Sequence, residues 1–166
     1  MSEIEIRCQD DRLLAANWVR STSNSPTMAT LVVHSAGGVR RRYYRAFAQY
    51  LSNHGVDVLL WDARGIGGSA LPAARNDPAT MRDWGQYDQQ AVLQHIRTTR
   101  YAPPGCVRSL LQRYRRARIE HHEIPAAEGV DGRIGHFGFF KAHNATLWSR
   151  VIQWLHVRGF CSELQN

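Results

Sequence analysis

Two residues of this sequence have surroundings suited to acyl-transfer chemistry. His136 stands in RIGHFGFF, between Gly135 and Gly138, after a predicted strand and before the last predicted helix. An imidazole in such a loop is the best candidate for a general base that takes a proton from a hydroxyl, although a loop histidine that only satisfies a local hydrogen bond has the same setting. Ser35 stands in VHSAGG at 33–38, also between a predicted strand and a predicted helix. That stretch is close to the elbow G-H-S-x-G-G, in which a nucleophilic serine sits on a strained strand-to-helix turn. Val33 replaces the first glycine of the elbow, the residue that normally relieves crowding there. Ala36, Gly37 and Gly38 follow at once. They are the candidate oxyanion loop, because glycine allows close backbone approach and donor-facing conformations. A plain strand-exit turn has the same composition. No G-x-S-x-G occurs anywhere in the chain.

The other constellations are weaker. Asp131 precedes His136 by five positions, reads as a turn aspartate and leaves the acid of a triad unidentified. Asp62 ends a predicted strand and reads as structural, holding the loop 64–69. His121, His122 and Glu123 alternate between two faces of a strand, which leaves two ligands without a third, so no metal is expected. Nothing points to a cofactor. Arg108, Arg113, Arg115, Arg116 and Arg118, with Tyr114, wrap around a helix without forming one stripe. A solvated surface explains them better than a nucleic-acid partner. The formal charge is +7, carried almost wholly by arginine, with Lys141 the only lysine. Such a bias reflects coding composition more often than a polyanion site.

At 166 residues, with 43% hydrophobic and 21% charged residues, the chain is expected to form one globular domain over 1–166. No apolar run approaches the roughly 20 residues of a membrane span, so no membrane partner is expected. The first residues lack the apolar core of a secretory signal. Cys8, Cys106 and Cys161 have neither pairing nor ligand spacing. A reduced, cytoplasmic protein is the reading these features support.

The elements that must position these residues centre on 30–69. LVVH is a short apolar run that ends in the glycine loop. Tyr44, Phe47, Ala48 and Leu51 then repeat with helical spacing, and VDVLLW is a second apolar run. That is a βαβ unit with a right-handed crossover and strands buried on both faces. Before it, 3–8 and 12–19 read as an antiparallel hairpin around a QDD turn. Helices are predicted over 40–54, ended by Gly55, and over 81–97, with Asp83 near the start. The pattern continues as a helix over 107–116, a strand over 117–124, a glycine-rich loop over 128–140 and an amphipathic helix over 142–157. Leu147, Val151, Trp154 and Leu155 share one face of that last helix.

With these pieces in place, the chain resembles the α/β-hydrolase superfamily. It is most similar to predicted bacterial hydrolases of the serine aminopeptidase type. The resemblance rests on AGG at 36–38, YYRAFAQYL at 43–51, DARGIGGS at 62–69, MRDWGQYDQQAVLQHIR at 81–97 and the segment 132–155. It implies a shortened, mostly parallel sheet with an N-terminal antiparallel hairpin and helices on both faces. Residues 1–97 would be the N-terminal half of the fold, and 102–158 a C-terminal part with the histidine loop. It implies that 36–38 is the oxyanion loop and that His136 is the catalytic base. It also places Ser35 one βαβ unit too early to be the nucleophile. The elbow, the cap region and the strand delivering the acid are missing, as though two ends of a hydrolase were joined near 98–101.

Three readings follow. The first is a shortened ester or amide hydrolase scaffold with little or no activity. The second is a small serine esterase using Ser35 and His136 on a small-molecule ester or amide. The third is a non-catalytic basic binding module. The strand at 117–124 is expected beside the strand at 30–34. If it is not there, the open edge favours a homodimer.

Overall fold

The computed structural model describes residues 1–22, 29–72, 77–98, 124–130, 132, 134 and 138–158. Four strands form one open mixed sheet in the order β1-β2-β4-β3. β1 (Ser2–Arg7) and β2 (Leu13–Val19) are the predicted antiparallel hairpin, with β1 at the edge. Its turn holds Cys8 N–H on the Arg12 carbonyl at 2.8 Å and places Asp11 at φ 63°. β3 (Ala29–His34) and β4 (Val56–Trp61) are parallel neighbours, as the βαβ reading requires, and β2 runs antiparallel to β4.

β4 is buried at every position, because it lies between β2 and β3 with helices on both faces. Its side chains alternate. Val56, Val58 and Leu60 enter one core, whereas Leu59 and Trp61 enter the other. β3 was expected to be buried on both faces as well. It is half-buried instead, with only Val33 buried, because its outer edge has no strand partner among the described residues. The predicted strand at 117–124 lies outside the described residues apart from Ile124, which is not in a strand.

The crossover begins as a 3-10 turn, Arg41–Tyr44, and continues as α1 (Arg45–Asn53). Tyr44, Phe47, Ala48 and Leu51 face the sheet, the four positions that the spacing selects. Burying Leu51 completely is worth roughly 1.5–3 kcal/mol. Gly55, at φ 85°, stops the helix in a conformation that glycine adopts without strain. On the same face packs α3 (Ser149–Val157), preceded by a 3-10 stretch, Ala142–Trp148. Trp148, Ile152 and Leu155 are its contacts to that core; of the predicted face Leu147 and Leu155 are buried, while Val151 and Trp154 are only partly buried. The 3-10 stretch winds more tightly than the uniform helix predicted over 142–157, which rotates the buried face.

The opposite face is covered by α2 (Gln89–Thr98), through Val92 and Ile96. The sequence predicts one regular helix over 81–97. The chain instead makes a short helical turn, Met81–Asp83, and a π-helical turn, Trp84–Asp88, before α2. Thr80 caps the start. Its backbone N–H donates to the Asp83 carboxylate at 2.8 Å, and its hydroxyl accepts from Asp83 N–H at 3.4 Å. The fold is thus α/β, an open mixed sheet with helices on both faces. No helix among the described residues is long and apolar enough to cross a membrane.

Candidate active site

In open α/β sheets, ligands bind beyond the carboxyl ends of the strands. Here those ends are the exits of β3 and β4. The β3 exit carries His34 and Ser35. The Ser35 hydroxyl donates to the Trp61 carbonyl at 3.1 Å, and so ties the exit of β3 to that of β4. That carbonyl is its hydrogen-bond partner among the described residues. Asp11 is the sole non-glycine residue with positive φ among them, so Ser35 has an ordinary backbone conformation. The His34 ring meets Trp61 edge to face at 5.5 Å. Burial lowers its pKa, so the imidazole is neutral at pH 7.

The three residues of the glycine loop divide in role. Ala36 N–H donates to the Tyr44 hydroxyl at 3.0 Å, and its carbonyl accepts from Val39 N–H at 2.9 Å. Gly37 and Gly38 are exposed, and their N–H groups have no partner among the described residues. Gly38 turns the chain at φ 78°. A side chain at Gly37 would meet the Trp84 ring at 3.6 Å. Trp84 is held by its indole N–H, which donates to the Arg64 carbonyl at 3.1 Å. Two unpaired amides on a braced turn can receive an anionic oxygen.

The β4 exit is organised by two buried carboxylates. Asp62 accepts from Arg41 N–H at 2.5 Å, from Gly68 N–H at 2.9 Å and from the Arg41 guanidinium. The turn 64–69 therefore closes around it, the structural role its sequence position suggests. Gly67 must lack a side chain, since a Cβ there would stand 2.4 Å from the Asp62 carboxylate. Ser69 is also structural. Its hydroxyl donates to the Asp62 carbonyl at 2.7 Å and accepts from Ala15 N–H at 2.8 Å.

The second carboxylate is Asp88, which is fully buried. It accepts from Arg64 N–H at 2.9 Å and from Arg64 Nε at 2.6 Å. The far side of the same guanidinium grips Asp10 with two bonds, at 2.7 and 3.1 Å. Burial disfavours the charge on Arg64, but the hydrogen bonds and charges of the two aspartates outweigh it and raise the pKa. Cys8 lies 3.6 Å from Asp88. Burial first, and the Asp88 charge second, push its thiol up to about 11, so it is not a thiolate nucleophile at neutral pH.

His136 and Asp131 lie outside the described residues, as do His121, His122, Glu123 and the arginines of 108–118. Among the described residues no group of three or more His, Cys, Asp or Glu could hold a metal ion. Sequence reasoning missed the Arg64–Asp88–Asp10 cluster, although a signal for it exists. Trp84, Asp88, Val92 and Ile96 recur every four positions, which puts an aspartate on the apolar stripe of a helix.

The architecture defined by these elements is that of an α/β protein with its loops gathered at the strand exits. No family model matches the chain, and no curated protein matches it. Among solved structures it is similar to a Xanthomonas campestris protein described as an α/β serine hydrolase without a lid. Identity is 20%, the TM-score is 0.46, and the match covers 60% of this chain and 45% of that one. The matched part is therefore less than half of that protein's length.

Proposed function

We propose that this chain is a shortened α/β-hydrolase scaffold of the ester and amide hydrolase type, similar to the serine aminopeptidase group, and that it has no hydrolytic turnover of its own. The observation that carries this reading is a contrast within the β3 exit. The loop 36–38 offers Gly37 and Gly38 amides that have no partner among the described residues, as an oxyanion loop does. Ser35 beside it donates to a backbone carbonyl, in an ordinary conformation unlike that of a strained elbow. The motif order AGG, YYRAFAQYL, DARGIGGS and MRDWGQYD supports the superfamily, and the lack of any G-x-S-x-G supports the loss of the nucleophile.

In an enzyme that has lost a triad member, the oxyanion hole and substrate binding together leave a factor of about 10³–10⁴ over water. The test is a panel of p-nitrophenyl esters, hydrolysed by wild type and by His136→Ala. Equal rates for the two proteins are expected. A wild-type rate well above that of His136→Ala would instead support a small esterase working through Ser35 and His136.

A further inference from the structure

Five arginines elsewhere in the described fold are matched to carboxylates. Arg7 pairs with Asp11, Arg12 with Asp77, Arg20 with Asp57, Arg64 with Asp10 and Asp88, and Arg150 with Glu128. The stretch 40–45 departs from this pattern. Arg40, Arg41, Arg42 and Arg45 line one crevice of about 170 Å³, bounded across from them by Asp62, Gly67 and Gly68. Arg41 is already committed to Asp62, to Glu3 and, at 2.7 Å, to the Asn17 side-chain oxygen. Arg40, Arg42 and Arg45 are exposed and have no carboxylate partner among the described residues. Four arginines against the Asp62 and Glu3 carboxylates leave a surplus of two positive charges around the crevice.

Its dimensions limit the ligand. A drug-sized molecule needs about 300–1,000 Å³. At 170 Å³ the crevice holds roughly six waters, taking about 30 Å³ for each. That is room for one compact anionic group. A carboxylate has two oxygens and satisfies one guanidinium fork. A phosphate has oxygens enough for several forks and a charge closer to the surplus. Gly68 at its rim must lack a side chain, because a Cβ there would stand 2.8 Å from Arg41 Nη1 and 2.7 Å from the Ala15 side chain.

We propose that the crevice between 40–45 and 62–68 binds a phosphate group through Arg40, Arg42 and Arg45, either as free phosphate or as the monoester end of a small molecule. The site needs no nucleophile and stands whether or not the chain hydrolyses esters. The experiment is calorimetric titration of the full chain, at low salt, with inorganic phosphate and separately with glycerol phosphate. Saturable binding at one site is expected, weakened about tenfold or more in Arg42→Ala and in Arg45→Ala and unchanged in Arg7→Ala. Circular dichroism checks that each variant is folded, and Arg45→Gln replaces Arg45→Ala if helicity is lost. Tighter binding of the ester assigns a phosphorylated metabolite, tighter binding of the ion assigns phosphate itself, and both uphold the site. Absence of saturable binding, or equal weakening in Arg7→Ala, would overturn it, since dispersed positive charge would then explain the affinity.

Discussion

Replacing Asp62 by Asn tests whether the β4 exit is organised by that carboxylate. The substitution keeps the shape and removes one acceptor and the charge. An asparagine can turn its carbonyl oxygen toward Gly68 N–H and the Arg41 guanidinium, retaining those two contacts. Its amide nitrogen then faces Arg41 N–H, where the carboxylate oxygen had accepted at 2.5 Å, and a donor opposes a donor. Loss of one charge-assisted bond costs about 1.5–3 kcal/mol. Arg41 also loses its buried counter-charge, although Glu3 and Asn17 still hold it. Breaking a buried pair typically costs about 3–5 kcal/mol, and the remaining partners place this case near 3 kcal/mol. In urea unfolding, with a slope of about 2 kcal/mol per molar, the midpoint should fall by about 1.5 M. Glu3→Gln should leave the midpoint nearly unchanged, because the Glu3 side chain is 71% exposed. A midpoint for Asp62→Asn within about 0.3 M of wild type would refute the reasoning, since a cost near 3 kcal/mol cannot hide in so small a shift.

Two further outcomes follow from the titrating groups. Burial lowers the pKa of His34, and burial followed by the Arg20 charge lowers that of His95, so both are neutral in the folded chain at pH values where the unfolded chain is protonating. The unfolded state then binds more protons, so stability is full above the unfolded value of about 6.5 and falls as pH drops through it toward the depressed folded values. The melting temperature should be flat between about pH 7 and 8 and fall below that window, with a shallower fall in His34→Gln. An unchanged slope in that variant would remove His34 from the account. Cys8 should resist maleimide in the folded protein and react once urea unfolds it, read by mass on the Cys8 peptide, because its thiol is pushed up to about 11 and is 3% exposed. Rapid modification of Cys8 before unfolding would contradict its burial against Asp88.

Much of the fold was legible because its signals are local. The Tyr44 to Leu51 spacing, the stop at Gly55 and the apolar run of β4 each identify an element within a few residues. The place of Asp62 at the end of β4, together with the resemblance of DARG to the family's turn, suggested that it holds the following turn. Relations between distant segments were not legible. Arg64 and Asp88 are 24 positions apart, and a π-helical turn that the periodicity does not announce supplies one of the partners. The division of the glycine loop was equally hidden, because it depends on the Tyr44 hydroxyl reaching back to Ala36. The half-burial of β3 depends on which strands flank it, a property of the sheet and not of the run LVVH. The arginines of 40–45 are visible as a charge run, but only the fold brings them around one crevice with Gly67 and Gly68.

The central claim is that the scaffold retains an oxyanion-type loop and lacks an activated serine. A fluorophosphonate probe reads this directly, because it reacts with a serine whose hydroxyl is made nucleophilic by a neighbouring base. The intact chain, incubated with excess probe and analysed by mass, should carry no adduct, the same as Ser35→Ala. An adduct mapped to Ser35, and abolished in both Ser35→Ala and His136→Ala with the fold preserved, would contradict the account and establish a working Ser35–His136 pair.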